Sequence, residues 1–244
     1  MERKKYSKLF IIVLLYLPVI ILANSKTDIY QSFITGDMNR WKLTIDQMVG
    51  NDDLSPKECL ELINYYYGYV AWCISSKNKK MATEYLNAAE NKLKRLERND
   101  SFLSDVYSYK AAFLGFRIGL NKMRAPFLGP ESVKYAEMAL KRDENNPVAH
   151  IENGNIYFYM PEIFGGSVER ALRHYLKAKE LMERDMDNLS ENWYYLNLLT
   201  MIAQSYHSLE NDMKAREFYE IILEIEPEYS WVNNDLYPKL IKGD

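Results

Sequence analysis

The chain is poor in the residues on which catalysis and metal binding draw. It holds two cysteines and three histidines among 244 residues. His150, His174 and His207 show no HExxH or other ligand spacing, and His174 falls on the second helix of a predicted pair while the other two fall on first helices. No metal site is expected. There is no G-x-S-x-G, no cysteine beside a histidine and no carboxylate pair of distinctive spacing, so neither an enzyme nor a cofactor is expected. Gly165-Gly166-Ser167 precedes a predicted helix, but no lysine follows as in a phosphate loop, and the segment reads as a turn with an N-cap. Cys59 and Cys73 lie in one predicted helix, about Pro56 to Ser76. Fourteen residues at about 1.5 Å each separate them by roughly 21 Å, whereas a disulfide needs Cα atoms within about 7 Å; both read as free, packed thiols.

Strand-type alternation and long apolar runs are scarce as well. The longest run, Leu9 to Ala23, is about 15 residues, short of the roughly 20 needed to span a bilayer, and Pro18 interrupts it. Arg3, Lys4, Lys5 and Lys8 precede it and Ala23-Asn24-Ser25 follows, the pattern of a secretory signal over residues 1–25. Kept uncleaved, the run would serve as an anchor; no cysteine lies near the junction, which disfavours a lipoprotein. An exported, periplasmic or cell-envelope location is expected. Without residues 1–25 the chain carries 27 basic and 33 acidic residues, and this mildly acidic balance argues against nucleic acid as partner.

What the chain does have is helical periodicity. Apolar residues make up 48% of it, enough for a sizeable core. Leu60, Ile63, Tyr67, Val70 and Ile74 follow the i, i+3, i+4, i+7 rule, as do Ala171, Tyr175, Ala178 and Leu181. Prolines at 56, 126, 130, 147, 161, 227 and 238 punctuate ten or eleven predicted helices. A 35-residue offset aligns Gly119 with Gly154, Pro126 with Pro161, Ser132 with Ser167, Val133 with Val168 and Ala136 with Ala171, as in a helical array.

The last unit is the clearest: Ala203, Tyr206, Ala215, Tyr219, Ile222 and Pro227 follow the small/aromatic/small/aromatic/apolar/proline spacing of the tetratricopeptide repeat. The chain resembles that family over about residues 27–227, through further units at Gly154-Tyr157-Ala171-Tyr175-Ala178, Gly68-Ala71-Ala82-Leu86-Ala89 and Gly115-Ile118-Ala136-Leu140. Tyr30, Phe33, Gly36 and Trp41 mark a divergent, cap-like first pair. The resemblance implies an all-α, right-handed superhelical solenoid of about five antiparallel helix pairs and a C-terminal extension over residues 26–244.

Two units carry longer turns between their helices, at Arg124–Pro130 (with Pro126 and Gly129) and at Met160–Gly166 (with Pro161, Phe164, Gly165 and Gly166). Each ends before a serine that suits an N-cap, and both should project from one edge. The second is also similar to the helix-pair turn of the periplasmic tetratricopeptide component of TRAP-type solute transporters.

In the tetratricopeptide family the first helix of each pair lines the concave face. That carry-over implies a groove of Tyr65, Tyr69, Trp72, Phe113 and Phe116, then Ile151, Asn155, Phe158 and Tyr159, then Asn197, Thr200, Gln204 and His207. The function expected from it is non-enzymatic binding of a protein or peptide partner; the alternative is a solute-binding or transporter-associated module with the inserted turns as its lip.

Overall fold

The computed structural model describes residues 25–50 and 54–243. The apolar run Leu9–Ala23 and the junction before Ser25 lie outside them. Among the described residues there is no strand, and the α-helices are α1 (25–35), α2 (Met38–Val49), α3 (Pro56–Ser75), α4 (Lys79–Leu96), α5 (Leu103–Leu120), α6 (Ala125–Arg142), α7 (Pro147–Tyr159), α8 (Val168–Met182), α9 (Trp193–Ser208), α10 (Asp212–Ile225) and α11 (Tyr237–Lys242). None of them is long and apolar enough to cross a membrane.

Short polar side chains start most of these helices. Asp37, Asn78, Asn146, Ser167, Asn192 and Asn211 each accept a hydrogen bond from a backbone N–H of the following first turn. Ser55 does so within a full capping box: it accepts from the Glu58 N–H while the Glu58 carboxylate accepts from the Ser55 N–H, with Pro56 at the first helical position.

The most extensive packing joins sequence neighbours: α3 with α4, α5 with α6, α7 with α8 and α9 with α10. Small residues set the approach. Ser104 Oγ donates to the Ala139 carbonyl at 3.0 Å and Ser132 Oγ to the Ala111 carbonyl at 2.8 Å, tying α5 to α6. In the last pair, buried Ala203 and Ala215 leave room for Tyr206 to stack on Phe218 at 5.6 Å.

The 35-residue offset is only partly structural. Ala136 and Ala171 are both buried in second helices. Gly154, however, is buried against Tyr175, whereas Gly119 sits exposed at the end of α5. Ser167 caps α8, but Ser132 lies buried inside α6. The expected turn at Arg124–Pro130 is therefore corrected: after the one-turn helix Lys122–Arg124, α6 already runs from Ala125. Pro126 occupies its first turn, where a missing N–H costs nothing, and Pro130 stands inside the helix with Gly129 before it.

Long-range contacts close the molecule. Thr27 Oγ1 donates to Glu191 at 2.7 Å and the Tyr30 hydroxyl to Glu226 at 2.9 Å. Phe33 meets Trp193 at 5.5 Å and Tyr229 at 4.9 Å, and Trp41 meets Trp193 at 5.0 Å. Gly68 lies beneath both indoles; a Cβ there would fall 2.6 Å from Trp41 and 2.8 Å from Trp193. In a linear array each repeat touches only its neighbours; here α1 and α2 pack on α9.

Candidate functional site

The first helices of the four pairs converge. Asn64 of α3 donates to the Tyr109 hydroxyl of α5 at 3.0 Å and accepts from the Trp193 indole of α9 at 2.9 Å. Tyr67 of α3 meets Tyr109, Phe116 and Tyr194, with centroids 5.1–6.0 Å apart. Asn155 of α7 donates to the Tyr67 hydroxyl at 3.0 Å and accepts from Tyr175 at 2.8 Å.

Glu152 sits among them, 2% exposed and without a cationic partner among the described residues. It accepts from the Tyr194 hydroxyl at 3.1 Å and from Asn155 Nδ2 at 3.2 Å. Burial pushes its carboxyl up to about 7, only partly offset by hydrogen bonds from Asn155, Tyr194 and Tyr67.

This convergence decides where the groove residues lie. Tyr65 is buried, donating to Glu61, and Tyr69 is buried against Trp72 and Tyr85; both are core rather than groove lining. Phe113, Ile151 and Thr200 are buried too, and Phe116, Phe158 and Asn155 are half-buried in the aromatic cluster. Large aromatic side chains fill the inner face, so those positions present nothing to a partner. Trp72 keeps 38% of its surface exposed, Tyr159 is largely exposed, and Asn197 and Gln204 are half-buried. His207 is exposed and bonded through Nδ1 to Asp212 at 2.6 Å.

The second expected turn is a turn. The Phe164 and Gly166 N–H groups donate to the Pro161 carbonyl, Gly165 adopts φ +98°, and the Ser167 N–H closes back onto the Tyr157 carbonyl at 3.0 Å. At Gly166 a Cβ would lie 1.8 Å from the Met160 carbonyl oxygen, so only glycine fits.

Together with the residues after α5, this turn leaves large apolar side chains in water. Met123, Phe127, Tyr159, Ile163 and Phe164 range from 69% exposed at Tyr159 to 85% at Ile163. They lie at or after the C-terminal ends of α5 and α7, two first helices that pack on each other. The apolar letters at 127 and 163–164 are visible in the sequence; their exposure is not.

Two clefts open among other described residues. One, of about 370 Å³, opens between α1 and the α9–α10 pair and is lined by Tyr30, Glu191, Tyr195 and Glu226 among others. The other, of about 270 Å³, is lined by His150 of α7 and by Arg170, Arg173, His174 and Lys177 of α8. Here the structure joins two histidines that the sequence placed on different helices.

His150 Nε2 lies 2.9 Å from the Glu144 carbonyl, which only accepts, so Nε2 carries the hydrogen. His150 Nδ1 lies 3.2 Å from His174 Nδ1, close enough for the two rings to share a hydrogen. Burial, then the nearby His150, Arg170 and Arg173, holds His174 down to about 4. Among the described residues no group of three or more His, Cys, Asp or Glu is placed for a metal ion, and Cys59 and Cys73 are free and buried.

Fold and surface thus define an all-α chain of packed helix pairs with an aromatic centre and an exposed apolar edge. No family model matches the sequence, and no curated protein matches it. Among solved structures it is similar to the HusA haemophore from Porphyromonas gingivalis, with a TM-score of 0.59 and 16% identity over 76% of this chain and 93% of that one. That likeness is one of helical fold.

Proposed function

We propose that this chain is an exported, non-enzymatic binding protein that takes a large, flat apolar ligand of the tetrapyrrole class at the edge formed by residues 122–130 and 159–166. The observation that carries the reading is the exposure of Met123, Phe127, Tyr159, Ile163 and Phe164 at and after the ends of α5 and α7, two helices packed on each other. Exposed apolar surface of this kind is costly in water and marks an interaction site. The structural neighbour is a haemophore, and the ligand class is carried over from it; the signal-like residues 1–25 supply the export.

Covering four or five such side chains removes apolar area worth about 25 cal/mol per Å², without any catalytic group. Titration with metal-free protoporphyrin, followed by tryptophan quenching, tests this. Saturable binding is expected, weakened at least tenfold in Phe127→Ser/Phe164→Ser and unchanged in Met213→Ser, which removes an equally exposed side chain on α10. No binding, or equal loss in the α10 variant, removes the proposal.

A second reading keeps a protein segment as the occupant, held by a tetratricopeptide-type superhelix. It is favoured by Trp72, Tyr159, Asn197 and Gln204, which stay accessible; the last two have no side-chain hydrogen bond among the described residues. Trp72→Ala/Gln204→Ala, away from the apolar edge, separates the two: it abolishes partner capture with helicity intact if this reading holds.

A further inference from the structure

From the α7–α8 cleft we infer a second binding site, one that takes an oxyanion of the phosphate class on Arg170, Arg173 and Lys177. These three and His174 stand at i, i+3, i+4 and i+7 on one face of α8, and no lining residue is acidic. Like charges at such spacing repel one another, and an anion that enters relieves that repulsion. It stands on a chain of net charge −3, against the overall sign.

Among the described residues one carboxylate reaches the three cations: Glu180, on Lys177. Glu169 accepts from the Ser167 hydroxyl at 2.7 Å, and Glu180 is shared between Lys177 at 3.0 Å and Arg184 at 2.7 Å. Neither the Arg170 nor the Arg173 guanidinium is in an ion pair among the described residues. Arg170 is nonetheless positioned: its guanidinium lies 3.9 Å from the Tyr157 ring centroid and donates to the Tyr157 hydroxyl. Tyr157 also stacks on His174 at 5.6 Å. A held guanidinium loses little freedom when it binds a planar or tetrahedral oxyanion, and its fork suits one. The His150–His174 bond fixes the cleft wall. This inference rests on α7 and α8 alone and not on the apolar edge.

Isothermal titration with inorganic phosphate, and flotation with phosphatidylcholine vesicles containing phosphatidic acid, test it on the full chain. Binding to at least one probe is expected, weakened tenfold or more in Arg170→Ala/Arg173→Ala and unchanged in Lys214→Ala/Arg216→Ala, which removes equal charge from α10. Binding of free phosphate assigns a soluble anion; binding of vesicles alone assigns a lipid headgroup. Binding of neither probe, or equal loss in the α10 variant, overturns the site. If circular dichroism shows the double variant unfolded, Arg173→Glu takes its place with the same expectation.

Discussion

Glu152 is the residue whose protonation the fold controls most directly. Its carboxyl is raised from 4.5 to about 7, so between those values the folded chain holds a proton that the unfolded chain has lost. The stability it contributes is fully present below about pH 4.5 and is lost as pH rises through 7. The difference is on the order of 3 kcal/mol. Glu152→Gln keeps a hydrogen-bonding side chain without the charge, so urea unfolding should show the variant gaining on the parent as pH rises from about 5 to about 8. Parallel pH curves would refute this. At this scale the sequence was least informative. Helical spacing shows that Tyr65 and Tyr69 belong to α3, but it does not say that both faces of α3 are covered. Likewise 24 residues separate His150 from His174, and only the packing of α7 on α8 brings them together.

Helix identity was far more legible, because capping residues and prolines act locally. Ser55-Pro56, Asn146-Pro147 and Ser167 mark helix starts that the structure places at those residues. The segment at 124–130 was misread because Pro126, Gly129 and Pro130 together look like a turn. In the structure Pro126 needs no hydrogen bond in the first turn, and Gly129 offers no Cβ to strike the ring of Pro130. The two aligned serines therefore differ in role. Ser167→Ala removes the cap on the Arg170 N–H and should cost about 1 kcal/mol in chemical denaturation, with fraying confined to the start of α8. Amide exchange at residues 168–171 reads that fraying, and unchanged protection there would count against the assignment.

Over the whole molecule, all-α architecture and the packing of consecutive helices were readable from periodicity; the closure of α1 and α2 onto α9 was not. A repeat pattern reports neighbours and is silent on contacts between residues as far apart in the chain as Phe33 and Trp193. Trp193 is the node of that closure, meeting Phe33, Trp41 and Tyr194 and donating to Asn64. Trp193→Ala should cost about 3–5 kcal/mol. Hydrogen exchange should then rise in α1 and α2 as well as in α9, within one cooperative transition. Loss restricted to α8–α10 would describe an open array instead.

The bond between Tyr30 and Glu226 also orders events in time. A chain made from its N-terminus has Tyr30, Phe33 and Trp41 in hand long before their partners in α9 and α10 exist. Their contacts with Trp193, Glu226 and Tyr229 must wait until nearly all of the polypeptide has emerged. A fragment ending before residue 193 would lack the indole on which α1 and α2 close, and so could not be a smaller version of the protein.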